Sequence, residues 1–109
     1  MNFIVNIKGK IYRVHPTNEI PNTAFKGDIE TCYSRPSEIK KSIYRECIER
    51  TYEIEKHFGI ECHNYGVLSY NCMMFTYGAI FEKDGEVVML YHETKTRREL
   101  YVKKGRVEI

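Results

Sequence analysis

The chain has 109 residues, with 17 lysines and arginines against 15 aspartates and glutamates, which gives a net charge of +2. Hydrophobic residues make up 42% of it and charged residues 29%, a composition that is typical of a globular protein and excludes a disordered, collagen-like or coiled-coil chain. This length predicts one domain, because two domains would each be too small to bury a sufficient core.

The first residues predict a β-hairpin. Phe3–Ile7 and Ile11–His15 alternate in side-chain character, and Lys8-Gly9-Lys10 between them contains the glycine that a tight turn needs. Pro16 is expected to end the second strand because proline cannot donate a hydrogen bond to a β-ladder. Residues 16–34 contain prolines and asparagines without any period, which predicts a long irregular loop of a kind that is often functional.

One long amphipathic helix is predicted from Pro36 to Phe58. Proline suits the first helical turn, Ser34 is placed to cap that turn, and Gly59 is placed to end the helix in the left-handed conformation. The apolar arc of the helix is wider than packing on one sheet requires. Its extra width comes from what we call the tyrosine stripe: Tyr44, Ile48 and Tyr52. Either the loop at 16–34 covers this stripe, or the stripe binds a partner or a second subunit, since tyrosine is enriched at interfaces.

The remaining sequence predicts an antiparallel meander of four to five strands. We expect these strands at residues 60–70, 72–82, 87–92 and 98–103, with a short edge strand at Arg106–Ile109. The strand at 72–82 is apolar on both faces and is therefore expected in the interior of the sheet, and Asp84-Gly85 predicts a tight hairpin after it. The predicted fold is α+β: an N-terminal hairpin, one long helix, and a meander packed on the helix.

Positive charge is concentrated in residues 95–109, which contain six basic and two acidic residues. The candidate anion-binding or nucleic-acid-binding residues of this basic hairpin are Thr94, Lys95, Arg97, Arg98, Lys103 and Arg106. Lysine and arginine beside tyrosines can hold phosphates and stack bases. The alternative is an edge strand whose lysines protect it from sheet-to-sheet aggregation. No glycine cradle accompanies the cluster, which excludes a P-loop.

The four cysteines lie at positions 32, 47, 62 and 72, with no Cys-x-x-Cys pair. Because no secretory signal is visible, we expect free thiols in a reducing cytoplasm, packed as small apolar side chains. The residues considered for a zinc site are His57, Cys62, His63 and Cys72. Such a site is disfavoured because neighbouring residues on a strand point to opposite faces. A thiol enzyme built on Cys62 would need a histidine base, His15 or His92, and a depressed thiol pKa. We therefore expect no catalytic residue, no metal and no organic cofactor.

Scattered residues carry a family resemblance. They are Cys32-Tyr33-Ser34-Arg35-Pro36-Ser37 before a helix that contains Cys47, then Ser69-x-Asn71, Phe75-Thr76-Tyr77-Gly78-x-x-Phe81 and Tyr91-x-x-Thr94-Lys95. With these residues the chain resembles small single-domain proteins of unknown function that are encoded by phages and mobile elements of gut Firmicutes. The resemblance implies a bacterial cytoplasm and, by analogy with phage accessory proteins, binding of a host protein, a nucleic acid or a signalling nucleotide.

The sequence therefore favours a non-catalytic binding protein that uses the tyrosine stripe, the long loop or both, in a regulatory or counter-defence role. An anion, nucleotide or nucleic-acid binder that uses the basic hairpin is the alternative, and a thiol enzyme is the third hypothesis. An exposed terminal strand, Phe3–Ile7 or Arg106–Ile109, is compatible with a symmetric homodimer. No membrane is expected as a partner, because the longest run without charge, residues 64–81, is too polar to span one.

Overall fold

The computed structural model describes residues 2–20, 41–70 and 75–108. Within them the chain forms one helix and six strands, and all six strands join into one sheet, so the predicted α+β class is confirmed. The elements in chain order are β1 (Phe3–Ile7), β2 (Lys10–Thr17), α1 (Lys41–Phe58), β3 (Glu61–Tyr70), β4 (Phe75–Lys83), β5 (Glu86–Thr94) and β6 (Arg98–Lys103). Across the sheet, the strands follow the order β1-β2-β6-β5-β4-β3.

Two tight turns form where the sequence predicts them. Lys8-Gly9 joins β1 to β2, and Asp84-Gly85 joins β4 to β5. All four turn residues have positive φ angles, the conformation of the two-residue hairpin whose twist matches that of the flanking strands. In the first turn, the Asn6 side-chain oxygen also accepts a hydrogen bond from the Gly9 N–H over 2.9 Å. Both hairpins are therefore set by the few residues of their turns.

The sheet is mixed, because β2 and β6 run parallel whereas the other neighbouring pairs are antiparallel. The strands β3 to β6 form the predicted meander, and the predicted hairpin joins it through β6. The predicted edge strand at 106–109 is wrong for its described part, since residues 106–108 form no strand. The flank of β6 that such a strand would need is already occupied by β2.

The strand β2 also runs further than the sequence predicts, because it continues through Pro16 to Thr17. In this hairpin register, the backbone of Pro16 faces the side of β1, and β1 begins at Phe3, opposite Val14. Among the described strands, none lies there to require the N–H group that proline lacks. Thr17 faces the other side, where its carbonyl accepts a hydrogen bond from the Lys104 N–H over 2.8 Å.

The helix α1 ends at Phe58, as predicted. Gly59 has a φ of 67°, and its N–H donates to the carbonyl of Glu55 over 2.8 Å, which is the left-handed helix end that favours glycine. The predicted start at Pro36, its cap and residues 21–34 of the predicted loop lie outside the described residues. The same is true of residues 72–74 in the strand predicted at 72–82.

The helix packs on one face of the sheet. The buried core on this face includes Tyr12, Val14, Cys47, Ile54, Tyr77, Ala79, Phe81, Met89, Tyr91, Leu100 and Val102. On the opposite face Ile80 and Leu90 are buried, and Ile20, Val87 and Tyr101 pack against them. The strand β4 contributes buried side chains to both faces, which confirms its prediction as an interior strand.

Candidate functional site

An open groove lies where the β1–β2 hairpin meets the turn between β5 and β6. Its volume is about 420 Å³, and we call it the arginine groove. It is lined by three arginines, two isoleucines, a threonine and a glutamate: Arg13, Arg97, Arg98, Ile4, Ile11, Thr96 and Glu99. The groove thus places positive charge and apolar surface within reach of a single ligand.

Strand alternation explains the apolar wall of the arginine groove. Tyr12 and Val14 are buried in the core beneath α1, so the residues that alternate with them, Ile11 and Arg13, point to the opposite face of the sheet. Ile4 lies directly across from Arg13 in the hairpin. Ile4 is 62% exposed and Ile11 is 48% exposed, so this wall faces solvent. Ile4, Ile11 and Arg13 are not among the anion-binding residues predicted from the sequence, although the alternating pattern of the hairpin indicates that Ile11 and Arg13 share a face.

The turn between β5 and β6 carries the charged side of the groove. The Thr94 N–H donates to the carbonyl of Arg97 over 2.9 Å. The Thr94 hydroxyl oxygen accepts hydrogen bonds from the backbone N–H groups of Arg97 (3.2 Å) and Thr96 (3.4 Å). The sequence predicts Thr94 as an anion contact, and the structure places its hydroxyl inside the turn that supports Arg97. Lys95 and Arg97 are exposed in this turn.

The three arginines of the groove differ in their partners. The Nε of Arg98 donates to the carbonyl of Ile11 over 3.2 Å, and its guanidinium lies 5.7 Å from the centroid of the Tyr12 ring, which holds this side chain in place. Arg13 and Arg97 form no salt bridge and no side-chain hydrogen bond with any residue that the structure describes. Within the described part of the chain, their charges are therefore open to a ligand.

The acidic residue of the groove already has partners. Glu99 accepts a hydrogen bond from the Tyr101 hydroxyl over 3.0 Å, and the same carboxylate oxygen lies 3.6 Å from Nε2 of His15. The His15 ring stacks on Tyr101 with the ring centroids 4.7 Å apart. Because three arginines and only one carboxylate line the groove, its lining has an excess of positive charge.

The structure divides the predicted basic hairpin between the two ends of β6. Thr94, Lys95, Arg97 and Arg98 lie at one end. Lys103 and Arg106 lie at the other end, beside the turn between β4 and β5. Lys103 is 2.8 Å from the carboxylate of Glu86 and, through this hydrogen bond, lowers the pKa of Glu86. Arg106 lies 3.7 Å from Asp84 and 3.6 Å from Glu86. The six residues therefore do not converge on one ligand.

The tyrosine stripe has one half-buried end, at Tyr44, and one exposed end, at Tyr52. The Tyr44 ring packs edge-on against Tyr77 of the sheet, with the ring centroids 6.3 Å apart. Ile48 is half-buried, and Tyr52 is 53% exposed. The apolar surface of the stripe that faces solvent is therefore concentrated at Tyr52, and its predicted role in binding a partner stays a prediction.

A buried polar cluster joins α1 to β5 and was missed by the sequence analysis. Arg50 Nε donates to Glu93 over 2.8 Å, and Arg50 Nη2 donates to the second carboxylate oxygen. Glu93 also accepts hydrogen bonds from the Tyr91 hydroxyl (2.5 Å) and the Cys47 thiol (3.5 Å). The Arg50 and Glu93 side chains are only 12% and 4% exposed. The sequence does indicate that Glu93 is buried, because Glu93 continues the alternation that places Met89 and Tyr91 on the buried face of β5.

The two cysteines that the structure describes, Cys47 and Cys62, have raised thiol pKa values. Burial, and then the charge of Glu93, raises the pKa of Cys47 to about 12. Burial, and then the charge of Glu55, raises the pKa of Cys62 to about 12. A thiol enzyme requires the opposite shift, since the thiolate is the reactive form. The raised pKa values of Cys47 and Cys62 therefore disfavour the thiol-enzyme hypothesis.

We expect Cys47 and Cys62 to react slowly with iodoacetamide at pH 8 in the native protein. A thiol pKa of about 12 leaves far less thiolate at this pH than an ordinary cysteine has, and burial restricts access as well. Labelling followed by peptide mass spectrometry measures each site separately. The same two cysteines in urea serve as the control and should be labelled rapidly. Fast labelling of Cys62 in the native protein would restore the thiol-enzyme hypothesis.

The described part of the chain contains no group of three or more histidine, cysteine, aspartate or glutamate side chains arranged to hold a metal ion. Of the residues considered for zinc, His63 lies 3.3 Å from the Glu82 carboxylate, and Cys72 lies outside the described residues. Among the described elements, no helix has the length and apolar character needed to cross a membrane. No protein-family model, curated protein or solved structure matches the sequence significantly.

Proposed function

We propose that this protein is a small non-catalytic binding protein that holds a phosphate-bearing ligand in the arginine groove. The observation that carries the proposal is the pair of guanidinium groups, Arg13 and Arg97, which are exposed and have no salt-bridge partner within residues 2–20, 41–70 and 75–108. They line an open groove whose volume, about 420 Å³, is in the range of small-molecule sites.

The charged side of the groove suits phosphate. A guanidinium presents two parallel N–H donors to a phosphate, and such charge-assisted hydrogen bonds are stronger than neutral ones. Arg98 also lines the groove, and its side chain is held by the carbonyl of Ile11 and the ring of Tyr12. The exposed Thr96 lies in the same lining and has a hydroxyl that can donate as well.

The apolar side of the groove favours a ligand that is more than a bare phosphate. Ile4 and Ile11 present exposed apolar surface beside the arginines. A nucleobase that packs on these side chains would remove that surface from water while its phosphate pairs with the guanidinium groups. A mononucleotide or a short single-stranded nucleic acid combines both features.

The non-catalytic part of the proposal is supported by the described thiols. A nucleophile would need a lowered pKa, and the pKa values of Cys47 and Cys62 are raised by burial. The side chains that line the arginine groove include no cysteine, serine or histidine. The arginines of the groove supply donors that can hold an anion, whereas the hydroxyl of Thr96 has no histidine base within this lining to activate it.

The exposure of Tyr52 favours a second candidate function, in which the tyrosine stripe binds a protein. The resemblance to phage and mobile-element proteins supports the proposal that this partner is a host macromolecule and that the protein works in the bacterial cytoplasm, in a regulatory or counter-defence role. The two surfaces lie on opposite sides of the sheet, so each can be tested without disturbing the other.

Reversing both open charges, Arg13→Glu/Arg97→Glu, is expected to weaken binding of phosphate-bearing probes by about 100-fold or more, since each charged hydrogen bond contributes about 1.5–3 kcal/mol. Fluorescence anisotropy with a labelled single-stranded RNA of about ten nucleotides measures the affinity, with ADP as an unlabelled competitor. Wild-type affinity for the RNA should fall as salt is raised. Displacement by ADP identifies a nucleotide site, and RNA binding without displacement identifies a nucleic-acid site.

The matched control is Lys83→Glu/Lys104→Glu, which changes the net charge equally at two exposed positions outside the groove. We expect this control to keep most of the affinity. If it weakens binding as strongly as the groove variant, the interaction is a general effect of charge and the groove is not the site. If neither RNA nor ADP binds the wild-type protein at low salt, the phosphate proposal is wrong.

A further inference from the structure

We propose that a second copy of this chain pairs with β1 in antiparallel orientation, centred on Ile4, so that one continuous sheet runs through both copies. The strand β1 lies at the edge of the described sheet. It has large apolar side chains in solvent, with Phe3 37% exposed and Ile4 62% exposed. This inference concerns the backbone edge of β1, and its tests need no ligand of the arginine groove, although Ile4 lines that groove as well.

The hairpin register identifies the backbone groups that are left for a partner. In a two-residue hairpin, the residues that flank the turn exchange both hydrogen bonds, and these are Ile7 and Lys10. Every second residue of β1 then bonds to β2, namely Ile7, Val5 and Phe3. The N–H and C=O groups of Ile4 and Asn6 therefore point outwards from the edge.

One register of the two β1 strands pairs the outward backbone groups and also brings side chains of like character together. If Ile4 lies opposite the partner's Ile4, then Asn2 and Asn6 lie opposite the partner's Asn6 and Asn2. All of these outward backbone groups are then paired. On one face Ile4 contacts the partner's Ile4, and on the other face Phe3 contacts the partner's Val5. Apolar residues meet apolar residues and amides meet amides.

The absence of charge on β1 permits this pairing, whereas the other edge strand of the described sheet is irregular. No charged residue lies between Asn2 and Ile7. The nearest charge on that face is Arg13, one strand away, so the two copies of Arg13 would lie about 15 Å apart, which is beyond the Debye length of about 8 Å at physiological salt. The opposite edge, β3, carries two register irregularities, which protect an edge from pairing.

Sedimentation equilibrium of the wild-type protein should show a dimer that dissociates on dilution. Ile4→Lys places two like charges opposite each other at the centre of the interface and should raise the dissociation constant of the dimer by about tenfold or more. The matched control is Ile11→Lys, which adds the same charge at an exposed position of β2, away from the edge, and should leave the dimer intact. A monomeric wild-type protein, or an Ile4→Lys variant that dimerises as well as the wild type, would overturn the proposal.

Oxidative cross-linking tests the register itself. In a Cys32→Ser/Cys72→Ser background, Ile4→Cys should form a disulfide-linked dimer, because the two Cα atoms would be about 5.5 Å apart. Asn6→Cys lies on the same face of the same strand, but its two copies would be about 13 Å apart and should not cross-link. Cross-linking of Asn6→Cys in place of Ile4→Cys would show a different register and would contradict the proposal as stated.

Discussion

Replacing Arg50 by methionine is expected to destabilise the protein by about 3–5 kcal/mol, because the change leaves the carboxylate of Glu93 buried without a counter-charge. Glu93 is buried and would keep only the hydrogen bonds from Tyr91 and Cys47. A small domain is stable by roughly 5–15 kcal/mol, so this loss is a large fraction of the total. Urea unfolding monitored by circular dichroism measures the free energy difference.

Two further variants show whether the loss comes from the unpaired charge. The double variant Arg50→Met/Glu93→Leu removes both charges and should be less destabilised than the sum of the two single variants. The control is Lys10→Met, which breaks an ion pair of 3.0 Å to Glu53. Lys10 is 36% exposed in that pair, so its loss should cost under about 1 kcal/mol. Equal losses for Arg50→Met and Lys10→Met would contradict this account of the cluster.

Leu100→Ala is expected to cost about 2–5 kcal/mol, the range for removing a large buried side chain and leaving a cavity. Leu100 is fully buried on β6, where it lies opposite Val14 of β2 on one side and Tyr91 of β5 on the other. The substitution therefore weakens the point at which the N-terminal hairpin meets the meander. The same unfolding experiment measures its effect.

A matched truncation on the exposed face of the sheet shows how much of the loss in stability comes from burial and how much from β-propensity. Ile11→Ala shortens a β-branched side chain that is 48% exposed, and it should cost under about 1 kcal/mol. A loss for Ile11→Ala as large as that for Leu100→Ala would mean that Leu100 does not act through burial.

The elements that the sequence predicted correctly are those determined by neighbouring residues. The turn at Asp84-Gly85 requires two positive φ angles, and the residues that tolerate them stand together in the chain. The end of α1 follows in the same way from Gly59. A reader of the sequence needs no distant contact to place either feature.

The parallel pairing of β2 with β6 could not be predicted from residues that are adjacent in the sequence. Val14 lies opposite Leu100, and nothing in the residues around Val14 specifies a partner so far along the chain. The same contact explains both errors in the fold. It extends β2 through Pro16, and it occupies the flank of β6 that the strand predicted at 106–109 would have used.

Only part of the arginine groove could be predicted, because the rest of it depends on the contact between β2 and β6. Arg97 and Arg98 stood out as a charged pair in one turn, whereas Arg13 reaches the groove only because β2 lies beside β6. The buried pair of Arg50 and Glu93 was missed because a charged residue is expected on the surface unless a partner is known. In both cases the missing information was a tertiary neighbour.

The position of β6 between β2 and β5 also constrains the order of events during synthesis. The ribosome releases the N-terminal hairpin long before it releases β6, and β6 is the neighbour of this hairpin in the sheet that the structure describes. At about 5–20 residues per second, the roughly 85 residues from Thr17 to Lys103 take on the order of 4–17 s to translate. During this interval the nascent hairpin lacks the strand that later pairs with it. We expect chaperones that recognise apolar strands to contact it at Tyr12 and Val14 until β6 emerges from the exit tunnel.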